Sequence, residues 1–189
     1  MNLKYFPKIT TERLILRKIE ETDAARILFL RSDITINKFI DRPESTKTKN
    51  VSDALKVIKK ITEAMADNTS VSWGITLKNK PEIIGSICLW NFSEDSKTAE
   101  VGYDLNPIFQ RKGIMSEALK SVVHFGFREL QLERIEAITH LQNENSKMLL
   151  IKNGFSPIEV TTELDSLSDI KFEIKNKINI PNGNFKTEV

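Results

Sequence analysis

The sequence is poor in the residues that build covalent or metal-held frameworks. Its single cysteine, Cys88, excludes an intramolecular disulfide network and a cysteine-ligated structural metal site. Two histidines are too few for a histidine-rich metal centre. No apolar run approaches the roughly 18 residues that a membrane-crossing helix needs. The opening MNLKYFPKITTERLILRKIEE has no basic stretch followed by an apolar core, so no secretory leader is expected. Charge of one sign is missing too. Against 28 Lys and Arg stand 26 Asp and Glu, a formal net charge of +2, which leaves no electrostatic footprint for nucleic acid. These absences together predict a cytoplasmic, soluble protein with no metal, no membrane and no direct nucleic-acid partner.

What is present suits a folded unit. At 40% hydrophobic and 29% charged residues, the chain has material for a sizeable core. At about 150 residues per domain, 189 residues read as one domain over 1–189. The polar stretch 41–50, DRPESTKTKN, reads as a surface loop, and 176–189 as a loose polar tail.

Periodicity gives the element order. TERLILRK, 11–18, alternates as a strand with Leu14 and Leu16 on its apolar face, opposite Arg13, Ile15 and Arg17. A helix over 22–31 follows, with Thr22 as its cap. Val51, Ala54, Leu55, Ile58, Ile61 and Met65 then mark an amphipathic helix. Runs at 71–77, 83–90 and 98–105, joined by short polar turns, predict an antiparallel meander. A long helix over 116–130 buries Ala118, Leu119, Val122 and Phe125 and turns Glu117, Lys120, His124 and Arg128 to solvent. A strand at 134–140, a helix at 146–152 and strands at 155–161 and 170–175 complete the order. The strand–helix–strand crossover in the second half predicts an α/β fold, a mixed sheet with helices on both faces.

The chemistry concentrates in Glu100–Leu119, EVGYDLNPIFQRKGIMSEAL. Pro107 stops regular pairing, and Gly113 permits positive φ and close approach of a ligand to the backbone. The first turn of the following helix leaves N–H groups unpaired at the positive end of its dipole. With Arg111 and Lys112 alongside, this makes an anion site that suits a diphosphate. A glycine that merely precedes a helix gives the same spacing. The phosphate loop of nucleotide hydrolases and the dinucleotide-binding glycine pattern are both absent.

Gln110-Arg111-Lys112-Gly113-Ile114-Met115 resembles the Gln/Arg-x-x-Gly-x-Gly/Ala loop of the GCN5-related N-acetyltransferases, the GNAT superfamily, with Met115 at the usual Gly or Ala position. Other segments resemble the same family in the same order. TERLILRKIEETDA resembles the opening of the subgroup related to ribosomal-protein-alanine N-terminal acetyltransferases. Ile84-Gly85-Ser86-Ile87 resembles its central strand, and Ala99-Glu100-Val101-Gly102-Tyr103 the strand before the loop. Asn143-Glu144-Asn145-Ser146 and Lys152-Asn153-Gly154-Phe155 resemble its C-terminal signature. The resemblance covers about residues 10–160, and the final hairpin departs from the family after Val160.

The resemblance implies a twisted mixed sheet whose splayed strands hold acetyl-CoA as cosubstrate. Tyr103, Asp104 and Leu105 would meet the pantetheine arm. Gln110, Arg111, Lys112, Gly113, Ile114, Met115 and Ser116 would surround the pyrophosphate. Asn143 would bond the pantetheine, and Ser146 would lie at the thioester sulfur. The implied reaction is direct attack of a primary amine on the thioester in a ternary complex. Glu100 is the candidate base, against a reading as a solvated strand carboxylate. An α-amine, with a pKa of about 8 against about 10.4 for lysine, asks less of that base. Ser146 is the candidate hydrogen-bond donor to the departing sulfur, against a reading as a helix cap. Many relatives carry an acid Tyr where this chain has Leu150, which leaves Ser146 or water to serve the sulfur, with Tyr103 as a further alternative to its reading as packing on the sheet.

Trp90, Glu100 and His140 are the candidate acceptor contacts, and Cys88 and Trp73 read as core. The acceptor expected from the resemblance is a protein N-terminal α-amine, such as that of a ribosomal protein. Small amines (polyamines, amino acids, aminoglycosides) and a non-catalytic acyl-CoA sensor are the alternatives, and both monomer and homodimer are compatible with the sequence.

Overall fold

The computed structural model describes residues 5–40, 47–158 and 168–176. Most of the expected surface loop, the end of the strand expected over 155–161 and the tail beyond 176 lie outside the described residues.

Among the described residues, eight strands, numbered in chain order, form one sheet in the order β1-β2-β3-β4-β5-β6-β8-β7. A two-residue β1, Ile9–Thr10, edges β2, Leu14–Arg17, which pairs antiparallel with β3, Val71–Leu77. The expected meander follows as β3, β4 (Gly85–Trp90) and β5 (Thr98–Leu105). α3, Ile114–Arg128, crosses over to β6, Arg134–His140, which lies parallel to β5. After α4, Glu144–Lys152, the chain forms β7, Ser156–Ile158, at the edge, and β8, Asp169–Lys175, inserts between β6 and β7.

Two cores flank the sheet, as expected of helices on both faces. Alternate residues of β3, Val71, Trp73 and Ile75, pack with Leu14, Leu16, Ile87 and Leu89 against Ala118, Leu119, Val122 and Phe125 of α3. Trp73 belongs to this core, its indole N–H donating to the Pro7 carbonyl at 2.6 Å. On the other side α1, Ala24–Ser32, and α2, Val51–Ala66, bury Ile27, Leu30, Ala54 and Ile58 with Ile19 and Ile83. A Cβ at Gly74 would fall 2.4 Å from Ile83, so a bare backbone in β3 lets this second core close onto the sheet.

Three helix starts differ from expectation, each through capping. Thr22 is exposed inside a 3-10 turn, Glu21–Asp23; Glu20 and Asp23 form the reciprocal capping box instead. α3 begins at Ile114, because Gly113 at φ 74° is its N-cap. α4 begins at Glu144, because the Asn143 side-chain oxygen accepts the Ser146 N–H at 3.2 Å. Ser146 is therefore the third residue of the helix, not its cap, and its hydroxyl is left for other work.

Candidate active site

β5 and β6 pair over only three positions, the last being Glu100 with Glu136. Beyond it β5 runs on to Leu105 and β6 to His140 without pairing to each other, so the strands open into a V. A cavity of about 570 Å³ fills the opening. Val101–Leu105 and Ala137–Thr139 form its arms, the loop from Phe109 to Ser116 and α4 its floor, and Thr35–Ile40 the side toward α1. Among the described residues no group of three or more His, Cys, Asp or Glu is placed to hold a metal ion, and no helix is long and apolar enough to cross a membrane.

The loop at the floor is folded tightly before any ligand is considered. Asn106 accepts the Ile108 N–H, and the Gln110 amide donates to the Leu105 carbonyl at 3.0 Å, tying the loop to the end of β5. Arg111 (φ 59°) and Gly113 (φ 74°) are both left-handed, which turns the chain sharply just before α3. The amides of Ile114, Met115 and Ser116 open α3 and have no acceptor within the helix. Arg111 and Lys112 are exposed beside them, with the Lys112 ammonium 5.9 Å above the Phe109 ring. Met115, at the position that differs from the family pattern, is only 7% exposed and packs into the α3 core. Its bulk is accommodated inside the protein. The Ser116 hydroxyl donates to the Asn153 side-chain oxygen at 2.8 Å, bracing α3 against the end of α4. Gln110 and Ser116 thus spend their side chains on the protein and offer the cavity their backbone.

Inside the V, Tyr103 and Ser146 meet. Their hydroxyl oxygens are 2.8 Å apart, and either is able to donate. Desolvation pushes the Tyr103 phenol up to about 12, partly offset by the Ser146 bond, so it stays protonated across the physiological range. The Asn143 side chain lines the same space while capping α4. The Asp104 carboxylate accepts from the Ser86 N–H at 2.9 Å and from its hydroxyl at 3.0 Å, which fixes it to β4. Leu150 is fully buried, so the position of the family's acid Tyr belongs to the core here.

The acceptor candidates are placed more loosely. Glu100 is the last paired residue before the V, and its carboxylate accepts from the Asn91 amide at 2.6 Å. It sits at the apex and does not line the 570 Å³ cavity. Trp90 lies directly opposite it on β4 and is 47% exposed, its indole nitrogen 3.7 Å from where a Gly102 Cβ would be. Trp90 and Asn91 also border a second, more open hollow of about 610 Å³ beside the end of α2. His140 stacks on Phe39 (5.3 Å between ring centroids), and its Nδ1 accepts the Gln142 N–H, which leaves the neutral ring's proton on Nε2. Burial pushes the Cys88 thiol up to about 11, with the charges of Asp104 and Glu100 adding to the shift, so it is a poor nucleophile at neutral pH.

Several contributors escaped the sequence reading. Glu117, expected on the solvated side of α3, is mostly buried and bound to Thr11 and Arg13. Phe39 and its neighbours reach the cavity from a stretch with no motif. The partners Arg13 and Glu117 are 104 residues apart, and no periodicity links them.

Comparison with known proteins is consistent with this geometry. The model of the acetyltransferase (GNAT) domain matches residues 13–156. The uncharacterized N-acetyltransferase YoaA of Bacillus subtilis is 34% identical over 152 residues, covering 79% of this chain and 83% of its own. Among solved structures, the ribosomal-protein-S5-alanine acetyltransferase from Vibrio fischeri superposes with a TM-score of 0.76 at 22% identity, covering 93% of this chain and 100% of that one. A ribosomal L7/L12 α-N-protein acetyltransferase, solved in complex with coenzyme A, superposes with a TM-score of 0.76 at 19% identity over 89% of this chain and 98% of its own.

Proposed function

This chain belongs to the GNAT acetyltransferase family, and on that premise we propose that it acetylates a protein N-terminal α-amine, with Glu100 taking the proton and Ser146 serving the leaving sulfur. Acetyl-CoA-dependent acetyl transfer is the activity of the family. The observation that carries the roles of Glu100 and Ser146 is the meeting of three features along the V, one at its apex and two in the cavity. The strand pairing ends at Glu100, the N–H-rich start of α3 forms the floor, and the Tyr103–Ser146 pair lies between.

The residues fit the cosubstrate. β5 parts from β6 beyond Glu100, and the pantetheine arm would run along that opening beside Tyr103–Leu105. The amides from Arg111 to Ser116 suit the pyrophosphate, with Arg111 and Lys112 neutralising its charge. Asn143 borders the same path.

In the reaction, the amine nitrogen forms a bond to the thioester carbon as a proton passes to Glu100, directly or through one water. The C–S bond then breaks and the electron pair leaves on sulfur. The Ser146 hydroxyl donates a hydrogen bond to that sulfur, while the neutral Tyr103 phenol donates to Ser146 and orients it. The proton given up by the amine reaches the thiolate through solvent. An α-amine is favoured over a lysine because it is about 2 units less basic, so more of it is neutral at physiological pH. Trp90 and His140 flank the approach on the acceptor side. The likeness to proteins named as ribosomal-protein acetyltransferases supports a peptide acceptor.

Calorimetric titration with acetyl-CoA tests the first half. We expect one site per chain, abolished in Gly113→Trp. Thiol release with a panel of N-terminal peptides, spermidine and free amino acids tests the second half. Peptides should be the best acceptors. Faster turnover of spermidine would overturn the α-amine assignment, and binding without any transfer would make the chain an acyl-CoA-binding module.

A further inference from the structure

We propose that Arg13 and Glu117 act as a strap that holds the anion loop in its ligand-ready shape, making them positioning residues for the pyrophosphate of the cosubstrate. The inference rests on the acetyl-CoA reading above.

A carboxylate in the first turn of α3, beside a pyrophosphate site, looks misplaced. It suits the helix dipole but opposes an incoming anion. The geometry resolves this. One Glu117 oxygen accepts from the Thr11 hydroxyl at 2.6 Å and from the Arg13 backbone N–H at 2.8 Å, and the other accepts from Arg13 Nε at 2.6 Å. Burial alone would raise the Glu117 pKa. The bonds from Thr11 and Arg13, with the Arg13 charge, outweigh it and hold the carboxyl below its usual range, so it is ionised and matched.

The same guanidinium then reaches the loop. Arg13 Nη1 donates to the Lys112 carbonyl at 3.0 Å, between the two left-handed residues Arg111 and Gly113. Its Nη2 lies 3.4 Å from where a Cβ on Gly113 would stand, so it backs the glycine directly. A planar fork is needed for this, because Nε and Nη1 serve partners in different directions. Arg111 is a bulky residue in a conformation that L side chains avoid, and such a turn persists only where its surroundings impose it. Arg13 imposes it from behind, and the Gln110 and Ser116 bonds hold the two ends.

If the strap sets the fraction of loops competent to bind, loosening it weakens binding by that fraction, so a loop competent one time in ten gives about a tenfold higher Kd. The test measures acetyl-CoA and acetyl-pantetheine, which lacks the pyrophosphate, against wild type, Glu117→Gln, Arg13→Lys and Arg13→Ala. Each variant should bind acetyl-CoA about tenfold more weakly, with the KM for acetyl-pantetheine and the kcat at saturation unchanged.

Two variants separate positioning from plain electrostatics. Glu117→Gln removes a negative charge near the anion, so a charge effect alone would tighten binding where the strap predicts weakening. Arg13→Lys keeps the charge but loses the fork, so recovery to wild-type affinity would overturn the strap. Equal losses for both ligands would reduce Arg13 and Glu117 to general fold stability and likewise overturn it. If Arg13→Ala fails to fold, the near-isosteric Glu117→Gln still decides the matter. A wild type that binds neither ligand would overturn the acetyl-CoA reading itself, a result distinct from any of these.

Discussion

The proposed cosubstrate and acceptor regions around the V are built on different principles. The cosubstrate side is braced by the protein: Gln110 to Leu105, Arg13 to Lys112 and Glu117, Ser116 to Asn153, and Tyr103 to Ser146. The proposed acceptor side offers less tightly held groups: Trp90 half exposed, Glu100 partly exposed and held by one amide, and His140 partly exposed against Phe39. A ligand that every member of a family shares is served by a preformed backbone site, whose amides need no side-chain reordering on binding. An acceptor that differs between members is met by exchangeable side chains on a fixed sheet. Mutation in the braced region should therefore affect binding, and mutation in the looser one turnover.

The largest effect on turnover is expected at Glu100. Replacing it by Gln should lower kcat by about 10²–10³ while leaving the Kd for acetyl-CoA unchanged, as loss of a general base predicts. The measurement is steady-state thiol release beside calorimetry; a kcat within about threefold of wild type would return Glu100 to the role of a solvated strand carboxylate. Gly113→Trp should do the opposite. A bulky side chain at φ 74° strains the loop by about 1–3 kcal/mol, enough to weaken acetyl-CoA binding by about 10–100-fold, before counting its collision with the ligand path. Thermal melting should show the fold retained, since Gly113 is exposed.

Ser146→Ala sits between the two arms. A hydrogen bond to an anionic sulfur is worth about 1.5–3 kcal/mol, so kcat should fall by about 10–100-fold with the acetyl-CoA Kd little changed. Tyr103→Phe should reproduce part of that loss, because it frees the serine without removing it. If Tyr103→Phe matched wild type while Ser146→Ala did not, the phenol would be packing alone.

The same contrast governs what was legible in the sequence. β3, β5 and β6 occupy the expected residues because apolar runs bounded by polar turns specify buried strands. The anion loop was legible because its chemistry is local: one glycine, two cations and a helix start lie within seven residues, 110–116. Contacts between distant segments were not. Glu117 follows helical periodicity as a solvent-facing residue, and only the fold brings β2 close enough to bury it. The insertion of β8 between β6 and β7 was hidden for the same reason, since strand order depends on which edges the topology leaves open. Capping decided the helix starts, and Asn143 outcompeted Ser146 by lying one turn earlier.

Cys88 gives the smallest expected effect on activity and the most specific effect on stability. It lies in β4 with its thiol directed at the Gly102 carbonyl at 3.6 Å, and the proposed transfer does not use it. Cys88→Ala should leave kcat and both KM values within about twofold, as expected of a residue outside the reacting groups. Its pKa, however, rises from near 9 to about 11 on folding. Below pH 9 the thiol is protonated in both states and pH has no leverage through it. Between about 9 and 11 the unfolded chain loses the proton first, so stability falls as pH rises, by an amount on the order of 2–3 kcal/mol before levelling. Urea unfolding at pH 8 and pH 11 should therefore show a smaller alkaline loss in Cys88→Ala than in wild type. The loss that remains up to about pH 12 includes that of Tyr103, whose raised pKa acts with the same sign in a higher window. Identical alkaline losses in wild type and variant would mean that the thiol is hydrated in the folded protein.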